Sequence, residues 1–77
     1  MHAVWLKSFP ADDKYTFERI VRKQQRSTSS DDISSLLDGV AAGNETCIRA
    51  FAEEESAENL MKEFQVHGGT AEVREAE

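Results

Sequence analysis

His2 and His67 are the only imidazoles in the chain, Cys47 is its only thiol, and Asp12-Asp13 and Glu53-Glu54-Glu55 are among its adjacent carboxylates. A helical zinc pair needs a second ligand one turn away, and neither histidine has one at i+4. Cys47 has no CxxC partner and falls on an expected strand rather than a helix start, the two settings that make a thiol nucleophilic. It is expected as a buried or half-buried structural thiol. Neighbouring carboxylates such as Asp12 and Asp13 point in different directions, so opening a helix explains them better than a catalytic dyad. The three glutamates likewise suit the acidic first turn of a helix. Gly68-Gly69 is not followed by a helix that could receive a phosphate, so it reads as a turn. His67 is expected at a helix C-terminus beside exposed carbonyls. These groups predict no catalytic residues, no metal and no cofactor. A Cys47–His67 pair is the weakest of the readings.

Charge is more informative. Residues 1–26 carry six Lys or Arg against three Asp or Glu, while residues 27–77 carry three against twelve. Lys14, Arg19, Arg22, Lys23 and Arg26 all fall within thirteen residues of an otherwise acidic chain of net charge −6. Nucleic acid needs a net cationic face, so no nucleic-acid partner is expected. A local basic patch on an acidic body instead steers one acidic protein toward itself. The longest apolar run is four residues, Ala3 to Leu6, too short for a membrane span or a leader. A membrane is therefore not an expected partner, and the reducing cytosol is the expected compartment.

The elements that must position these residues follow from periodicity. Ala3 to Phe9 alternates as a strand, with Val4 and Leu6 on one face and Ala3, Trp5 and Lys7 on the other. Pro10 stops it, lacking a ladder donor. Asp12, Asp13 or Thr16 can accept the free amides of a first helix, whose stripe is Phe17, Ile20, Val21 and Gln24. Arg26 to Asp32 is the turn to a second helix, capped by Ser29 or Ser30, with stripe Ile33, Leu36, Leu37, Val40 and Ala41 and a stop at Gly43. Thr46 to Ala52 is a strand with Ile48 and Ala50 opposite Cys47, Arg49 and Phe51. A third helix carries Ala57, Leu60, Met61 and Phe64 and ends at Gly68-Gly69. Thr70 to Arg74 is the last strand. The predicted fold is α+β, a single domain over residues 1–77. It is a two-layer β-α-α-β-α-β arrangement with a small three-stranded, mostly antiparallel sheet covered by three helices. In that arrangement Trp5 is expected under a helix; left open, it would be a partner anchor.

Residues 13–23 and 57–74 resemble the C-terminal domain of the bacterial large-subunit ribosomal stalk protein. The family's Asn-Lys pair and Lys-x-x-Arg run correspond to Asp13-Lys14 and Arg19-x-x-Arg22. Its Ala-Glu-x-Leu helix, glycine turn and alternating strand correspond to Ala57-Glu58-Asn59-Leu60, Gly68 and Ala71-Glu72-Val73-Arg74. Asp32 to Asp38 resembles its second helix. The ClpS-type protease adaptors share that fold, and Asp12-Asp13-Lys14-Tyr15-Thr16 is similar to their opening motif. The adaptors' amine-holding asparagine is Ala11 here, and their histidine is Ala41 or Ala42. The stalk family's glycine-leucine turn becomes Arg26-Ser27-Thr28-Ser29.

Together these readings predict a non-enzymatic, adaptor-like protein-binding module. Lys14, Arg19, Arg22, Lys23 and Arg26 would meet an acidic protein surface, with Trp5 or Tyr15 as the apolar anchor. The resemblance implies translation factors or protease machinery as partners. The competing expectation is a stand-alone acidic inhibitor or decoy that fills a basic groove of an enzyme with Glu53, Glu54, Glu55, Glu58 and Glu63.

Overall fold

The computed structural model describes residues 1–75. Strand β1 (His2–Ser8) leads through a 3-10 turn (Ala11–Asp13) into α1 (Lys14–Gln24) and α2 (Ser30–Ala41). Then come β2 (Thr46–Phe51), α3 (Glu54–Val66) and β3 (Thr70–Glu75). The sheet order is β2-β1-β3, and both pairings are antiparallel. This is the expected small α+β fold, with the most apolar strand at its centre, where both edges are paired.

One core joins the layers. Val4, Leu6, Ile48 and Ala71 from the sheet meet Phe17, Ile20 and Val21 of α1, Ile33, Leu37 and Val40 of α2, and Ala57, Leu60 and Phe64 of α3. Each helix thus buries the centre of the stripe its periodicity marks, while Gln24, Leu36 and Met61 are half-buried and Ala41, expected in the α2 stripe, is exposed past the last buried turn. Each fully buried Leu, Ile or Phe contributes about 1.5–3 kcal/mol over exposure. Phe17 is the keystone: its ring stacks on Phe9 at 5.2 Å and on Phe64 at 5.9 Å.

The helix ends show how the local sequence fixes the lengths. Ser29 caps α2, its hydroxyl accepting from the Asp32 amide at 3.2 Å. Both α2 and α3 close with a glycine of positive φ, Gly43 at 100° and Gly68 at 88°. In each case the next amide bonds back across the turn, Asn44 to the Gly39 carbonyl and Gly69 to the Phe64 carbonyl, both at 2.9 Å. Only glycine enters this left-handed region without cost. The opening of α1 differs from expectation. Neither Asp12 nor Asp13 caps it through a side chain; the Asp13 carboxylate instead accepts the Thr16 hydroxyl at 2.6 Å.

Two strand features depart from simple alternation. The β1–β2 register slips between Val4 and Trp5, so Trp5 opposes Cys47 while Val4 opposes Arg49. The extra residue flips the parity of the rest of β2. Arg49 and Phe51 therefore share the helix-covered face rather than the face of Cys47. Phe51 packs against the core, and Arg49 donates to Gln24 of α1 at 3.1 Å while lying over the Phe51 ring. The second departure concerns Trp5. All three helices lie on the Val4–Leu6 face, and none covers the other. Trp5 is half-buried there beneath the Arg74 guanidinium, 4.6 Å above its ring, and Cys47 is exposed rather than buried.

Candidate functional site

Five of the seven residues expected to bind a partner come together. Tyr15, Arg19, Arg22, Lys23 and Arg26 line a shallow groove of about 350 Å³. Tyr15, Arg19, Arg22 and Lys23 stand at i, i+4, i+7 and i+8, a spacing that keeps side chains on one face of a helix, and Arg26 joins them from the turn that follows α1. The opposite face of α1 is locked into the core by Phe17, Ile20 and Val21, so this face has to point outward. Tyr15 is 71% exposed, an unusual position for a ring whose area is normally buried. Among the described residues Arg19 and Arg26 have no ion pair or hydrogen bond. Arg22 donates to the Ser30 hydroxyl at 3.1 Å, and Lys23 lies 3.8 Å from Glu63 of α3.

Two expected members stand apart. Lys14 turns away from the groove and ties α1 to α2, donating to Asp38 at 2.6 Å and to the Ser34 hydroxyl at 3.0 Å. Glu18 lies 4.0 Å from the same ammonium. With its charge met inside the molecule, Lys14 has little left for a partner. Trp5 is on the far side of the sheet from α1, so the sheet separates it from the basic groove. The aromatic ring beside the cations is that of Tyr15.

Trp5 belongs to a separate charged lattice on the open sheet face. Arg74 pairs with Glu45 at 2.5 Å and with Glu72, and Lys7 lies 3.5 Å from Glu45 and 4.0 Å from Glu72. The hydrogen bond from Arg74 holds the Glu45 carboxyl below its ordinary range, and the same bond raises the already high Arg74 value. Two cations balance two anions over the ring. Sequence reasoning missed this lattice; the only signal was the alternation that set Lys7 beside Trp5.

A second hollow of about 370 Å³ opens where α1, β2 and α3 meet, lined by Gln24, Phe51, Ser56, Asn59, Leu60 and Glu63. It was not visible in the sequence, because it depends on the bulge that turns Phe51 toward the helices. The Lys23–Glu63 pair links it to the basic groove, since each partner lines one of the two.

Neither Cys47 nor His67 has a hydrogen-bonding side-chain partner among the described residues. Cys47 is exposed on β2, and His67 is the exposed C-cap residue of α3. Among the described residues no group of three or more His, Cys, Asp or Glu is gathered as metal ligands would be. No described helix is long and apolar enough to cross a membrane. Compared with protein-family models the chain matches none, and no curated protein matches it either.

Proposed function

We propose that the protein is a non-enzymatic interaction module whose outer α1 face receives an acidic segment of a protein partner. One observation carries the reading: Tyr15 and four cations share one groove, and two of those cations, Arg19 and Arg26, have no counter-charge among the described residues. An exposed ion pair contributes only about 0.2–1 kcal/mol, so the cations alone give weak, salt-sensitive binding. Tyr15 supplies the apolar contact that converts steering into affinity. Arginine forks fit carboxylates in pairs, which favours Asp- or Glu-rich sequence over a neutral partner.

The resemblance of the α1 and α3 sequences to the stalk C-terminal domain and the ClpS-type adaptors is part of the proposal. On that footing translation factors and protease machinery are the partner classes to examine first, and the module works in the cytosol. The test is affinity capture from the native host with wild type, Arg19→Glu/Arg22→Glu, and Glu54→Lys/Glu58→Lys. The reading expects one partner retained by wild type and by the α3 variant and lost from the α1 variant. Loss only from the α3 variant would overturn it in favour of an acidic decoy.

A further inference from the structure

Both outer strands of the three-stranded sheet are edges, but they are not equally open. The outer side of β2 is engaged by Gln25, whose amide donates to the Ile48 carbonyl at 2.8 Å, and its register is broken by the bulge. The outer side of β3 has no hydrogen-bond partner among the described residues, and its pairing to β1 runs without a break from Ala71 to Glu75. A regular edge of this kind is a template for another strand. The alternation is plain: Ala71, Val73 and Glu75 pair with helix-face residues of β1, while Glu72 and Arg74 pair with Trp5 and Ala3 of the open face.

We propose that β3 pairs, antiparallel, with β3 of a second copy of this chain, in the register centred on Val73. The argument rests on symmetry and charge. An antiparallel joint between identical edges has its two-fold axis normal to the sheet, so the helices of both copies stay on one face. Open-face residues must then oppose open-face residues, and the axis must pass beside a single residue of β3. Centred on Glu72, the joint opposes Glu72 to Glu72. Centred on Arg74, it opposes Arg74 to Arg74. Like charges directly opposite disfavour both. Centred on Val73, it opposes Glu72 to Arg74 twice and places the two Val73 side chains together on the helix face. Centred on Ala71, the joint pairs only Thr70 to Glu72, and centred on Glu75 it opposes Glu75 to Glu75, so the Val73 register alone pairs the whole of Ala71 to Glu75 with no like charges opposed. The charges that commonly guard an edge against other strands thus favour one register with a second copy. Glu72 and Arg74 side chains are 39% and 38% exposed, leaving each room for a second partner beyond their mutual contact. None of the residues of the basic groove lies on β3.

The test uses the 77-residue chain. Sedimentation of wild type is expected to show a mass rising toward two chains with concentration. Glu72→Lys, which sets an ammonium against Arg74 across the joint, is expected to weaken association about tenfold or more. Directly opposed Cα atoms lie about 4.5–5.5 Å apart, within reach of a disulfide. With Cys47→Ser removing the native thiol, Val73→Cys is therefore expected to form a linked dimer under mild oxidation, and Glu72→Cys to remain unlinked. Circular dichroism checks that each variant is folded. A single-chain mass for wild type at every concentration overturns the proposal, and so does faster linking of the Glu72→Cys variant than of the Val73→Cys variant.

Discussion

Replacing Gly69 by alanine tests whether the core is as tightly closed beneath α3 as its geometry requires. A Cβ at Gly69 would lie 2.5 Å from Phe17 Cε2, 2.9 Å from Cζ and 3.1 Å from the Phe64 carbonyl oxygen. The Phe17 ring has nowhere to go, being fully buried and stacked between Phe9 and Phe64. Overpacking of this kind costs about 1–3 kcal/mol. The φ of Gly69 is not positive, so alanine brings no backbone strain and recovers about 0.4–1 kcal/mol by restricting the unfolded chain. The net loss is about 1–2 kcal/mol, a large share of the roughly 3–5 kcal/mol available to a domain of this size. At about 4–8 °C per kcal/mol, Tm falls by about 4–16 °C. Gly39 provides the opposite sign for the same chemical change. It lies inside α2 with nothing within 4 Å of a built Cβ, so Gly39→Ala should stabilise by about 0.5–1 kcal/mol. Thermal denaturation of both variants followed by circular dichroism reads the difference. A Gly69→Ala protein as stable as wild type, or a Gly39→Ala protein less stable, refutes the packing described here.

Three further outcomes follow from the same geometry. Ser29→Ala removes the cap of α2 and should cost about 1 kcal/mol in urea denaturation. Lys14→Met, which breaks the ties to Asp38 and Ser34, should lower stability by about 0.2–1 kcal/mol while leaving partner capture intact; Arg19→Met should do the reverse. Glu45 is held below its ordinary carboxyl value of 4.5, so its pairing stabilises the fold above that pH and loses effect as the pH falls through the lowered folded value. The stability gap between wild type and Arg74→Met should accordingly be steady near neutrality and narrow in acid, as read by urea midpoints at a series of pH values.

Much of this molecule is legible from periodicity. The stripes Phe17–Ile20–Val21, Ile33–Leu37–Val40 and Ala57–Leu60–Phe64 are core because a 3.6-residue repeat leaves them one common face. The helix stops at Gly43 and Gly68 are equally plain, since a left-handed residue must end each turn. The groove on α1 needed only the complement of its buried stripe. What the residues did not reveal depends on partners far away in the chain. Lys14 reads as a free cation until Ser34 and Asp38, 20 and 24 positions on, are seen to occupy it. Strict alternation sets Arg49 and Phe51 on the face of Cys47, but one bulged residue reverses the parity of everything after it. Alternation leaves Trp5 expected under a helix, because it marks two strand faces without saying that the helices cover only one. The Arg74–Glu45–Lys7–Glu72 lattice joins β1, β3 and the loop before β2, and no local pattern announces it.

The open face also shows how this chain keeps an uncovered tryptophan in water. Arg74 shields the ring from above, and the surrounding charges cancel, so the surface neither exposes a broad apolar patch nor attracts strongly charged bodies. The α1 face is the contrary case, a cationic strip on a chain of net charge −6. That contrast between a neutralised face and an unbalanced one is what favours α1 as the docking surface.

Amide chemical-shift mapping on the isotope-labelled protein, titrated with the partner recovered by wild-type capture, addresses that assignment most directly. Perturbations concentrated on Tyr15, Arg19, Arg22, Lys23 and Arg26, and weakening with added salt, are the result expected. Perturbations centred on Trp5, Lys7 and Glu72, or along Glu54 to Glu58, with α1 unmoved, would contradict it.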